Sequence, residues 1–194
     1  MALTLTSELD AVNIMLGTIG ESPISSLDAA TGVVDAVTAQ QILKEVLIQV
    51  QEEGWHFNTE TNFTLTPTAD TGEIFLPANC IEVDTMGNDR QIDVAVRGRR
   101  LYDRIEHTFV FTETLSCDMT LLLEFEDLPQ AARHYISIRA ARVFQQRVIG
   151  SDTLGNFSAR DEAMARTALQ RYEAKTADHN ILTGNYDVMR IIDR

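Results

Sequence analysis

The chain has 194 residues, 44% hydrophobic and 23% charged, with 29 acids against 16 bases and a formal net charge of −13. The length suits one good-sized domain or two small ones, and the composition is that of an ordinary folded protein. The charge speaks against a nucleic-acid binder with a basic face; no stretch reaches the roughly 18 consecutive apolar residues of a membrane span; and MALTLTSELDA has no secretion-signal pattern, so a soluble, non-exported chain is expected.

Ser7-Glu8-Leu9-Asp10 is a capping-box-like start for a first helix, with Leu9, Val12, Leu16 and Ile19 at helical spacing and Gly20 as its stop. ESPISSLDAATG, residues 21–32, reads as a loop. A second helix is expected from about Val34 to Glu53, with Ala36, Ala39, Leu43, Val46 and Val50 on one stripe. Val37 and Ile48 fall on its opposite side, which fits a helix buried on more than one face. Gly54 ends it.

After Gly54 the period changes to two. Phe63–Thr66, Ile74–Leu76, Ile81–Asp84, Ile92–Val96, Thr108–Phe111 and Met119–Phe125 read as short strands broken by Gly, Asn, Asp and Pro, a meander of antiparallel strands. Helical signals return at Asp127-Leu128-Pro129, with Asp127 as cap and proline in the first turn. Ala132, Ile136, Ala140 and Val143 line this third helix to about Arg147, and Gly150 stops it. A fourth is expected to open at Ser158–Asp161, with Met164, Ala165, Ala168, Leu169 and Tyr172 as its stripe and Asp161 and Glu162 in its first turn. The last residues, ILTGNYDVMRIIDR, lack a helical stripe and read as an arm.

The expected class is therefore α+β: a four-helix bundle-like α domain, residues 1–60 and 127–180, with a small antiparallel β module inserted at 61–126 and a C-terminal arm at 181–194. GWHFNTE, residues 54–60, sits where helical periodicity ends and alternation starts. Gly54, Trp55 and Phe57 are read as the joint between the two parts, since an aromatic at such a junction buries over about 150 Å².

Little in the chain points to chemistry. No phosphate-binding glycine loop, no HExxH and no GxSxG elbow is present. His56, His107, His134 and His179 are scattered, so neither a metal nor another cofactor is expected. Cys80 and Cys117 lie far apart and read as free thiols. Carboxylate pairs such as Glu52-Glu53 are what chance supplies in so acidic a chain.

The charge is uneven. Residues 1–60 hold nine acids and one base, Lys44; residues 61–126 hold twelve acids and five arginines; residues 127–194 hold eight acids and ten bases. The local positive cluster is RGRRLYDR, where Arg97, Arg99, Arg100 and Arg104 surround Tyr102. Two readings stand level: arginines answering Asp89, Asp93, Asp103 and Glu106 within the chain, or a docking patch for an acidic partner, because interfaces favour Arg and Tyr.

Five segments in order, ELDAVNIMLGTIGESPISSLD at 8–28, GWHFNTETNFTL at 54–65, RRLYDR at 99–104, FEDLP at 125–129 and IRAARVFQQRVIG at 138–150, resemble the tail tubular protein A family. These are the adaptors, or gatekeepers, of short-tailed, T7-like bacteriophages. The resemblance covers most of the chain and is weakest in the final arm and the loops of the β module. It implies a structural virion protein with no catalytic role and no cofactor. Copies would form a homo-oligomeric ring, typically a dodecamer, between the portal protein and the tail nozzle protein, tail tubular protein B, and would help seat the tail fibre. Genomic DNA would pass through the channel without specific binding, since an acidic wall lets DNA slide. Val37 and Ile48 then become candidate ring contacts. The expected location is the virion tail, assembled in the host cytoplasm, with no membrane partner. The alternatives are a head-completion or connector protein of another phage lineage, or a carboxylate-dependent hydrolase of envelope glycans.

Overall fold

Ser7 starts the first element through local chemistry alone. Its backbone is extended, its hydroxyl accepts from the Asp10 N–H at 3.1 Å, and its own N–H donates to the Asp10 carboxylate at 3.0 Å. This reciprocal box satisfies two donors that a helix start leaves open, and the Ser7 bonds hold the Asp10 carboxyl below its usual range. α1 spans Glu8–Ile19 and closes on left-handed Gly20, φ 83°. α2 spans Val34–Gln51 and stops short of Glu53. Its last turn tightens, Glu53 N–H reaching Val50 O at 3.4 Å and Gly54 N–H reaching Gln51 O at 3.1 Å, before Gly54 turns left-handed at φ 68°. The computed structural model describes residues 4–28, 32–150 and 152–176, so the expected C-terminal arm at 181–194 lies outside the described residues.

Five strands follow: β1 (Thr59–Leu65), β2 (Cys80–Thr85), β3 (Val94–Arg97), β4 (Arg100–Asp103) and β5 (Leu115–Leu121). They do not form the expected meander. β5 inserts between β1 and β2 in a three-stranded antiparallel sheet, while β3 and β4 pair as a separate hairpin. Ile74–Leu76 and Thr108–Phe111, expected as strands, contribute only isolated bridges. Ile74 and Leu76 are nonetheless buried and Phe75 exposed, so the alternation was real although the ladder around it is short. β4, unforeseen, runs through the arginine cluster. β1 begins at Thr59, ahead of the expected boundary at 61.

α3 (Gln130–Val148) has Pro129 at its N-cap, and Asp127 belongs instead to a 3-10 turn, Phe125–Asp127. Proline's fixed φ and missing N–H suit it to that end of a helix. α4 (Asp152–Thr176) starts earlier than Ser158, so Asp161 and Glu162 lie mid-helix. Glu162 serves as a rivet, receiving Arg142 at 2.6 Å. Met164 and Ala168 of the expected stripe are exposed, while Ala165 and Leu169 are buried. No helix among the described residues is long and apolar enough to cross a membrane.

α3 packs against all three other helices. Besides Tyr135, its buried residues form two neighbouring rows, Ala132, Ile136, Ala140 and Phe144 beside Arg133, Ser137 and Ala141, and the small ones let helices approach closely. One hydrophobic cluster lies among the helices, from Ala11 and Val46 to Tyr135, Phe144 and Leu169. A second, around Ile74, Val83, Leu101, Leu115 and Met119, fills the space between sheet and hairpin. The molecule is α+β, with every strand between α2 and α3.

Two buried amides tie the ends of the strand-bearing stretch to the helices. Gln51, fully buried, donates to Leu123 O at 2.9 Å and accepts from Leu123 N–H at 2.8 Å. Asn58 donates to Gln51 O at 2.9 Å and Leu121 O at 3.0 Å and accepts from Trp55 N–H at 2.8 Å. Removing a partner from a buried backbone group costs about 1–3 kcal/mol. Gln51→Leu orphans both polar groups of Leu123 and is expected to lower unfolding stability by about 2–4 kcal/mol in urea titrations followed by circular dichroism.

Candidate docking surface

The hairpin register sets which side chains share a face. Ala95 pairs with Tyr102 and Arg97 with Arg100 on the outer side, while Val96 pairs with Leu101, the latter fully buried beneath. A two-residue turn, Gly98-Arg99, joins the strands, with Gly98 left-handed at φ 66°. The Arg97 guanidinium lies 3.6 Å above the Tyr102 ring centroid, and Tyr102 meets Phe109 edge-on at 4.9 Å. Arg100 lies 4.2 Å over Phe109 and reaches Glu73 at 2.6 Å. Bridges place Phe75 opposite Arg100 and Val110 opposite Glu73, and both apolar side chains are more than half exposed, at 57% and 52%.

The arginine cluster thus divides. Arg97, Arg100 and Tyr102 form a layer in which cations sit on aromatic faces. Arg104 turns to Asp93 at 3.2 Å in an exposed pair, worth at most about 1 kcal/mol. Arg99 stands exposed at the turn; its carbonyl accepts from Leu76 N–H at 3.0 Å, and its guanidinium finds no partner among the described residues. Of the acids expected to answer the arginines only Asp93 does so, with Glu73 added from afar. Asp103 instead accepts from the N–H groups of Ile105 and Glu106, at 2.7 and 2.8 Å, and Asp89 from Ser116 N–H at 2.9 Å. Sequence reasoning missed Glu73, Phe75, Phe109 and Val110, for no local signal links them to residues 97–100.

At the joint, Trp55 is buried in the helical cluster and its indole N–H donates to Val50 O at 2.7 Å. Phe57 stacks on it, centroids 6.4 Å apart and planes within 6°, and packs on the same cluster. His56 between them is exposed, with its backbone N–H on the Glu173 carboxylate at 2.6 Å. Gly54 supplies the left-handed residue that reverses the chain ahead of Trp55. The side-chain bonds that cross to Leu121 and Leu123 come from Gln51 and Asn58, while Trp55 contributes only its carbonyl, which accepts from the Thr59 hydroxyl at 2.8 Å.

A groove of about 550 Å³ runs along the outer side of α2. Lys44, Leu47 and Ile48 face Leu122, Glu124 and the start of α1 at Glu8 across it. Ile48 and Val37 are half-buried and eleven residues apart, about three helical turns, so they share a side of α2. Burial and the nearby carboxylates of Glu126 and Glu124 push the Glu8 carboxyl up, against a weaker pull from Lys44. The groove therefore carries Glu8 and Glu124 with Lys44 as their one lining counter-charge.

Among the described residues no group of three His, Cys, Asp or Glu is placed to hold a metal ion. Cys117 is fully buried, and burial with Asp89, Asp84 and Asp118 nearby pushes its thiol up to about 11, unsuited to a nucleophile. A family model described as a tail tubular protein matches residues 9–179. Tail tubular protein A of Klebsiella phage KP34 is 30% identical over 166 residues, covering 85% of this chain and 86% of the relative. The chain belongs to the tail tubular protein family. It is a structural component of the phage tail and not an enzyme, and it works in a virion tail assembly with other phage proteins.

Two expectations attach to these residues of the tail tubular protein. Trp55→Ala removes a packed aromatic and the 2.7 Å indole bond to the Val50 carbonyl, leaving it only the long bond from Glu53 N–H; a loss of about 3–5 kcal/mol is expected in chemical denaturation. For Glu8, a folded-state pKa raised above the unfolded one means stability present at low pH that is lost as pH rises through the folded value. Glu8→Gln should therefore flatten this part of the pH–stability profile just above the usual carboxylate range and raise stability at neutral pH, as read by melts across pH 4 to 8.

Proposed function

We propose that this tail tubular protein is the adaptor ring of a short-tailed phage, seated between the portal and the tail nozzle. The observation that carries the reading is family membership over nearly the whole chain. The fold supports it: a rigid helical part, with α3 at its centre, carries an inserted β module, and these are two domains suited to holding different neighbours. A closed ring of copies, about twelve, continues the DNA path, and the acidic surface keeps the passing duplex from adhering. Val37 and Ile48 on the free side of α2 are ring contacts, Trp55 and Phe57 set the joint from the helical side, and the hairpin face of Arg97, Arg99, Arg100 and Tyr102 docks an acidic partner. Nozzle protein and tail fibre meet the ring at its outer end.

Mixing the purified protein with its phage's portal protein should give a complex of about twelve adaptors per portal ring, counted by native mass spectrometry or electron microscopy. A monomer in isolation is compatible with this, because the portal serves as template. A chain that joins neither portal nor nozzle would sink the proposal.

A further inference from the structure

A head-to-tail ring needs two different, mutually complementary patches on each chain. Two such surfaces stand out in the described residues. One is the hairpin face, where Arg97, Arg99 and Arg100 stand with Tyr102, Phe109 and the exposed Phe75 against one acid, Glu73. The other is the groove beside α2, floored by Leu47, Ile48 and Leu122 and edged by Glu8 and Glu124, with Lys44 as its counter-charge. Copies that each carry a net charge of −13 repel one another, so contact between them has to be made where cations remain available. Four helical arginines are already committed inside the chain: Arg139 and Arg166 to Glu53, Arg142 to Glu162 and Arg147 to Glu45. Among the described residues Arg90, Arg160, Arg171 and Lys175 form no ion pair, but none lies over an aromatic ring.

We propose that in the ring the arginine–aromatic face of one copy's β3–β4 hairpin docks on the acid-edged groove between α2 and Leu122–Glu124 of the next copy. The contact rests on the ring reading above and names what covers Ile48. Arginine beside exposed aromatic side chains dominates interface energetics; Tyr102, 9% exposed, supports Arg97 from beneath while Phe75 offers the apolar surface. A guanidinium set between Glu8 and Glu124 removes the mutual repulsion of the carboxylates there. Arg99, extended from the turn with no partner of its own, is the side chain for that position. Charge pairs of this kind also steer subunits into register and reject wrong orientations.

The test is a charge exchange across the contact. The double variant R97E/R99E and the single variant E124K should each fold as wild type by circular dichroism. Each should lower the amount of adaptor retained on portal rings by about tenfold or more. Because every contact in a homo-ring pairs a hairpin with a groove, R97E/R99E/E124K on one chain should restore assembly. R99C with E124C should give a ladder of oxidised multimers on the portal, and either cysteine alone should not. Rings that form normally with R97E/R99E, a triple variant that is not rescued, or complete rings that lose only nozzle or fibre would each overturn the contact while leaving the ring intact. A wild-type chain that forms no ring on its portal would overturn the function itself, and the contact with it.

Discussion

The structure depends on two side-chain amides buried where the strands leave and rejoin the helices. Gln51 bonds both backbone groups of Leu123, and Asn58 reaches the carbonyls of Gln51 and Leu121. Buried polar groups carry a large penalty when unpaired and almost none when satisfied. These are satisfied by backbone, so they fix the chain path itself and not merely the packing of side chains. The end of α2, the 3-10 turn at His56–Asn58 and the exit of β5 thereby become one rigid junction. Trp55 reinforces it from the helical side through its bond to Val50 O. The direction in which the hairpin face points, relative to the groove beside α2, follows from that junction.

A second buried polar group does the same work at the other end of the stretch. Arg133 is 7% exposed and donates to the carbonyls of Leu128, Thr6 and Glu126. It gathers the N-terminal segment, the 3-10 turn at Phe125–Asp127 and the start of α3 around one guanidinium, whose planar fork of donors suits three separate acceptors. Elsewhere the chain uses its few cations as rivets between helices. Arg147 grips Glu45 with two bonds, at 2.8 and 2.9 Å, and Arg166 reaches Glu53 at 2.9 Å. Such exposed pairs add little stability because solvent screens them, but they consume positive charge. Among the described residues of this acidic tail component, the hairpin is then the surface where exposed arginines stand with aromatic side chains.

Much of the helical part was legible because its signals are local. The Ser7–Asp10 box, the left-handed glycines at 20, 54 and 150, and the stripe of α2 are each decided within a few residues. Helix edges are less local: Asp127 falls in a 3-10 turn ahead of α3, and α4 already runs from Asp152 where a capping residue type suggests a start at Ser158. Among the strands, Ile74-Phe75-Leu76 shows the reverse case. Its alternation was visible and its burial follows it, yet it extends no ladder, because pairing is decided by the neighbour and not by the segment.

By itself the sequence determined the class of elements, their order, the acidic field, the concentration of arginine at 97–104 and the family to which the chain belongs. Only the tertiary structure decided that β5 lies between β1 and β2, that Gln51 and Asn58 carry the junction, and that Phe75 and Phe109 complete the face begun by Arg97 and Tyr102. The division has a physical cause. Caps, stops and periodicity are energies of residues three or four apart. Strand order, buried amide partners and composite faces are energies of residues brought together from far along the chain, Gln51 and Leu123 being 72 positions apart and Arg133 and Thr6 127, and nothing in either local segment records the other.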